Sequence, residues 1–173
     1  MKKLIAILLV CLLAAVAAAE TVEELNWADV SAELGGSGTN ESFATYPETS
    51  LVVWIPADAE AEELTDEDRA SGYIGYYSNA DRTLQIAVVR VALTDATFDD
   101  YVETLSGDET LENVARKTVN GLPAVSYYMP ENDSLNISVA DGTDCVMEVT
   151  MAPGSAEGND GIWKLISASI QSR

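Results

Sequence analysis

Histidine is missing from all 173 residues. Its absence removes Ser-His-Asp and Cys-His triads, the usual zinc clusters and histidine acid-base catalysis together. Cysteine is nearly missing too, with two in the chain, Cys11 and Cys145. Cys145 opens an alternating apolar stretch and reads as a small buried hydrophobe; no histidine is available to activate it as a nucleophile. Positive charge is scarce: nine Lys and Arg stand against 29 Asp and Glu, a formal net charge of −20. Such a surface repels phosphates and anionic membranes, so nucleic acid is excluded as a partner. A phosphate-cradling loop is also lacking, because Gly35-Gly36-Ser37-Gly38 has no lysine with a following Ser/Thr and follows an expected helix instead of a strand.

Only one long hydrophobic run exists, and it lies at the N-terminus. Met1, Lys2 and Lys3 make a positive start, Leu4 to Val16 carry no charge, and Ala17, Ala18 and Ala19 supply small residues. That order is a secretory signal peptide over 1–19, of bacterial Sec type, with release near Glu20. The run is too short to span a bilayer, which takes about 20 residues. Cys11 sits mid-run behind the bulky Val10, so a lipid anchor is not expected. The signal carries two of the nine basic residues and none of the 29 acids, leaving a net charge of −22 on an exported chain whose single cysteine cannot form an internal disulfide. The expectation is therefore a secreted, monomeric protein without a membrane span, held together by its core.

Along the chain, Asn26 precedes Trp27, Val30 and Leu34 at helical spacing, with Gly35 just beyond. Residues 20–38 thus read as an N-terminal helix and a Gly-rich connector, and 39–173 as one domain. Glu41 to Pro56 reads as two short strands or a bent pair around the turn-like Pro47, and Asp58 to Asp68 as one or two exposed helical turns capped by Thr65. Gly72–Tyr77 and Thr83–Val91 form a hairpin around Ser78-Asn79-Ala80-Asp81. Thr97 to Asp100 is a capping box opening a helix in which Phe98, Tyr101, Val102 and Leu105 share one face. Asn120-Gly121 is a type I′ hairpin signal between Val114–Val119 and Leu122–Tyr128. Two alternating strands follow, Leu135–Ala140 and Cys145–Met151, and Ile162, Leu165, Ile166 and Ile170 draw a closing helix. The sum is an α+β fold, a largely antiparallel sheet of about six to seven strands with helices packed on its faces.

Three stretches of this layout resemble the small α/β/α sandwich shared by the photosystem oxygen-evolving subunit PsbP, the Ran-binding factor Mog and exported bacterial lipoproteins of the DcrB type. They are the strand ending Trp54-Ile55-Pro56, the Val119-Asn120-Gly121-Leu122-Pro123-Ala124 hairpin, and the closing Ile166-Ser167-Ala168-Ser169-Ile170 segment. The likeness spans Phe43 to Gln171. It implies assembly factors and binding modules instead of a shared active site, and it carries over no functional residue.

Two sets of side chains are candidates for function. Asp141, Asp144 and Asp160 lie in loops and helix starts where oxygen ligands for calcium occur, as do Asn159 and the Glu131-Asn132-Asp133 turn; none has EF-hand spacing, and the simpler reading is turn and cap residues, with no cofactor. Tyr73, Tyr76 and Tyr77 crowd one strand, and Tyr127 and Tyr128 another, where exposed rings would offer a platform for sugar or peptide. Strand alternation sends Tyr76 and Tyr77 to opposite faces, and likewise Tyr127 and Tyr128, and core packing is the simpler fate of most of them. Three Asn-x-Ser sequons, at Asn40, Asn132 and Asn136, read as chance in a bacterial chain. The favoured function is an exported, non-catalytic domain binding a protein or glycan outside the cytoplasm. The alternative is a small carboxylate-dependent hydrolase acting on extracellular glycans, which needs two acids held about 5 to 9 Å apart beside a cleft.

Overall fold

A computed structural model describes residues 22–32 and 43–173; the expected signal peptide at 1–19 and the glycine-rich connector at 35–38 lie outside them. The N-terminal helix expected from Asn26 onward is α1 (Trp27–Ser31), preceded by a short strand, β1 (Glu23–Leu25), that the sequence reading lacked. Asn26 occupies the cap position without a side-chain cap hydrogen bond.

The remaining elements follow in order: β2 (Phe43–Thr45), β3 (Leu51–Trp54), β4 (Glu60–Ala61), α2 (Asp66–Ala70), β5 (Tyr73–Ser78), β6 (Gln85–Ala92), α3 (Phe98–Ser106), β7 (Glu112–Val119), β8 (Leu122–Met129), β9 (Ser134–Asp141), β10 (Cys145–Ala152), α4 (Asn159–Ser169) and β11 (Gln171–Ser172). Eight strands form one mixed sheet in the order β1-β7-β8-β9-β10-β6-β5-β4, with β1 parallel to β7 and every other pair antiparallel. The count exceeds the expected six to seven because β1 and β4 are edge strands of three and two residues, too short to carry an alternating pattern. A separate three-stranded sheet, β11-β3-β2, takes the segment around Pro47 out of the main sheet.

The period-2 pattern of each strand decides which side is buried against what. Ile86, Val88, Ala124, Ile137, Val139, Met147, Val149 and Met151 share the inner face and pack with Val53, Trp54 and Ile55 of the small sheet region and Ile166 and Ile170 of α4. All four residues of β3 are buried, so this strand is packed on both sides. On the outer face Val125, Ser138 and Val146 are all at 0% exposure, and α3 docks on that face through Tyr101, whose hydroxyl meets Ser138 Oγ at 3.0 Å. The domain is thus a sheet with α4 and the small sheet on one side and α3 on the other.

Asn120 joins the layers. Its φ of 47° and that of Gly121, 81°, are the left-handed pair that a type I′ turn demands, and they free the Asn120 side chain to point across the fold. Oδ1 accepts the Trp27 N–H at 2.9 Å, and Nδ2 donates to the carbonyls of Ala168 and Ile170, each at 2.8 Å. Between those two carbonyls in sequence, Ser169 Oγ accepts the Trp54 N–H at 2.9 Å. The three stretches that carried the family resemblance therefore meet in one hydrogen-bonded knot. Cys145 is a free, buried thiol at 4% exposure that donates to the Asp141 carbonyl at 3.2 Å, which agrees with its reading as a core residue.

Candidate functional site

The arrangement around β5 departs furthest from what strand periodicity dictates. Tyr73 and Tyr76 are three residues apart, a spacing that sends side chains to opposite faces of a regular strand. Here Tyr73 pairs with Val89 while Gly75 pairs with the adjacent Val88, so a bulge around Ile74 absorbs one residue and Tyr73 and Tyr76 both emerge on the outer face. Two glycines make this geometry accessible. Gly72 has a φ of 93°, and a Cβ on it would stand 2.8 Å from the Arg90 carbonyl oxygen. A Cβ on Gly75 would stand 2.7 Å from Tyr46 Cε1, so glycine lets the Tyr46 ring lie against the strand. Tyr77 then points inward, where its hydroxyl meets that of Tyr46 at 2.9 Å.

Tyr73 and Tyr76 form one wall of a groove of about 250 Å³, completed by Glu62, Glu63, Leu64 and Asp68 from the β4–α2 segment. That segment is pinned at both ends. The Glu62 N–H bonds to the Tyr76 carbonyl at 2.8 Å, extending the β4–β5 ladder, and a capping box opens α2. In the box Thr65 Oγ1 accepts the Asp68 N–H, while Asp68 Oδ2 accepts the Thr65 N–H at 2.8 Å and its hydroxyl at 2.6 Å. These bonds hold the Asp68 carboxyl below its usual pKa. Glu62 is braced by both oxygens against Arg82 Nη2 at 3.1 Å and by the Ser78 hydroxyl. The Tyr76 hydroxyl donates to Gln85 Oε1 at 2.5 Å, and burial, followed by the charge of Glu62, raises its pKa. Glu63 is exposed at the rim.

The five candidate tyrosines do not make one platform. Tyr73 and Tyr76 share the groove, Tyr77 joins the core, and Tyr127 and Tyr128 lie on β8, with three strands between it and β5. Tyr127 is buried and lies across β9, its hydroxyl reaching Glu148 Oε2 on β10 at 2.6 Å. The same oxygen accepts from Ser138 Oγ at 2.9 Å and Tyr101 Oη at 3.0 Å, so one carboxylate oxygen gathers three hydroxyls from α3, β8 and β9. Sequence reasoning missed this cluster, since its partners are separated by 10 to 47 residues and follow no motif. Tyr128 donates to Asp133 Oδ1 at 2.9 Å, which also accepts the Ser155 N–H at 2.9 Å.

The acidic candidates go to separate places. Asp141 is buried at the end of β9; Thr49 Oγ1 donates to its Oδ2 at 2.5 Å, the Ser50 N–H reaches the same oxygen at 3.1 Å, and the Ser50 hydroxyl takes Oδ1. Burial alone would raise its pKa, but the Ser50 and Thr49 hydrogen bonds outweigh that and lower it. Asp144 is exposed beside the β9–β10 turn, and Asp160 is exposed in the first turn of α4. Asn159 Nδ2 donates to the Pro153 carbonyl at 2.7 Å. Among the described residues no three or more His, Cys, Asp or Glu side chains stand where they could share a metal ion. Among them, too, no helix is long and apolar enough to cross a membrane.

The architecture is a PsbP-like fold. Among solved structures, the solution structure of cyanobacterial PsbP (CyanoP) from Synechocystis sp. PCC 6803 is similar with a TM-score of 0.52 and 13% identity, covering 80% of this chain and 96% of that one. No protein-family model and no curated protein sequence matches. At 13% identity the likeness bears on the fold.

Proposed function

We propose that this protein is an exported, non-catalytic binding domain and that the Tyr73–Tyr76 groove is where it holds its ligand. The observation that carries the reading is the β5 bulge: a regular strand would separate the two rings, and bulges characteristically re-aim side chains next to functional sites. Export rests on the order of charge, apolar run and small residues over 1–19, and a partner outside the cytoplasm follows from it.

Binding fits the groove better than hydrolysis does. A glycosidase needs a carboxylic acid whose pKa is raised, so that it can protonate the leaving oxygen. In the groove Asp68 is spent on capping α2 with its pKa lowered, and Glu62 is spent on Arg82 and Ser78. The cluster around Glu148 offers one carboxylate, already gathered by three hydroxyls.

Thermal unfolding of the purified protein against a panel of soluble peptides and glycans tests the reading, because a ligand that prefers the folded state raises the midpoint. A ligand that raises the midpoint of the natural protein is expected to raise that of Tyr73→Leu by less at the same concentration. A shift that survives unchanged in both Tyr73→Leu and Tyr76→Leu, or turnover of any glycan in the panel, overturns it.

A further inference from the structure

The groove differs from its surroundings in what it lacks as well as in what lines it. Glu62, Glu63 and Asp68 carry acceptor oxygens only, those of Glu62 already bonded to Arg82 and Ser78 and one of Asp68 to Thr65, and Leu64 is apolar. The Tyr76 hydroxyl is committed to Gln85, which leaves its ring as the part that lines the groove. Among the described residues no lysine or arginine lines the groove, although a second hollow on β5, lined by Glu48, Arg69, Gly72, Tyr73, Ile74 and Arg90, holds two arginines. The second hollow also holds Glu48, and Arg82 pairs with Glu62 beside the groove, so the groove's lining is the more negative of the two. The volume, about 250 Å³, falls just below the ~300–1,000 Å³ of pockets that enclose a whole small molecule and suits a single inserted side chain.

Acceptors without donors call for a donor-rich guest, and tyrosine faces beside carboxylates attract a cation through both the ring quadrupole and its charge. We infer that the Tyr73–Tyr76 groove takes a basic side chain, a lysine or arginine presented by a protein partner; this rests on the reading of the groove as the binding site. The apolar stem of such a side chain lies along Leu64 and the rings, and its charged end meets the carboxylates. A neutral sugar also donates hydroxyls to these oxygens, but it brings no charge to offset the carboxylates. The bulge that turns Tyr73 outward and the net negative lining are separate observations, and this guest uses both.

The test is an NMR titration of the purified protein at low salt with three blocked tripeptides, glycine flanking a central lysine, arginine or acetyl-lysine, and with a neutral disaccharide. The lysine and arginine peptides are expected to move the amide signals of Tyr73 and Tyr76, and the acetyl-lysine peptide to leave them in place. Affinity for the lysine peptide should fall about three- to fivefold in Tyr73→Leu, the scale of one exposed cation–ring contact, should survive in Tyr73→Phe, and should weaken in Glu63→Gln. Equal binding of the acetyl-lysine peptide, or an affinity indifferent to Tyr73→Leu, overturns the inference, the latter exposing mere attraction to an acidic surface. Disaccharide or acetyl-lysine signals at Tyr73 and Tyr76 sink the cation but keep the groove as a binding site. Shifts from every probe confined to other residues sink both.

Discussion

Asn120 accepts the backbone N–H of Trp27 at 2.9 Å, which ties α1 to the β7–β8 turn across 93 residues of sequence. With its two bonds to carbonyls at the C-terminal end of α4, those of Ala168 and Ile170, this side chain is a structural hub at a position that also has to satisfy a left-handed turn. Asn120→Gly separates the two duties, because glycine keeps the turn and deletes every side-chain bond. At about 1 kcal/mol per net hydrogen bond the loss should be about 2–3 kcal/mol, read as a lower urea midpoint with unchanged slope. A midpoint equal to the natural protein's would mean that the turn, not the hub, is what Asn120 supplies.

Asp141 holds Thr49 and Ser50 through a carboxylate whose folded pKa lies below the unfolded value of about 3.9. A depressed acid contributes stability that is complete above the unfolded value and is lost as pH falls through the folded one. Asp141→Asn should therefore cost most near neutrality, and the gap between variant and natural protein should close on acidification below about pH 4. Melting temperatures across that range, with and without calcium, check this; a cost present only with calcium would make Asp141 a metal ligand.

How far the sequence foretold this fold depended on how local each signal was. The Thr97 capping box, the Asn120-Gly121 turn and the alternation of Leu135–Ala140 were legible because each is complete within a few residues, and all three appear as expected. The insertion of β10 beside β6, the parallel addition of β1 and the escape of β3 into a second sheet depend on partners far along the chain, where periodicity is silent. The tyrosines teach the same lesson. Alternation correctly separated Tyr76 from Tyr77, yet it could not foresee that a bulge would bring Tyr73 back beside Tyr76.

Tyr101 and Tyr127 have their pKa values raised above the ordinary phenol value, first by burial and then by the charge of Glu148. A raised folded pKa means stability that is intact below the unfolded value of about 10 and lost as pH climbs past it. In an ultraviolet titration both phenols should stay protonated after the exposed tyrosines have ionised. Glu148→Gln should bring their ionisation to lower pH while costing about 1.5–3 kcal/mol from the lost charged acceptor. An unchanged titration would disprove the three-hydroxyl arrangement.

Gly75→Ala forces a Cβ to within 2.7 Å of the Tyr46 ring. Overpacking of that kind costs about 1–3 kcal/mol, and the double variant Gly75→Ala/Tyr46→Leu should recover part of it, a coupling that a double-mutant cycle measures. Additive losses would mean that glycine serves the backbone of β5 and not the approach of the ring.

The small sheet has a kinetic corollary. Leu51 pairs with Ser172 and Val52 with Gln171, so a strand from the first third of the chain waits for partners about 120 residues later. Closing so long a loop is costly before any contact repays it, and high contact order slows folding. For a chain proposed to leave the cytoplasm through a translocation channel this delay is useful. A polypeptide that cannot complete its structure until its final strand is free remains threadable throughout its passage.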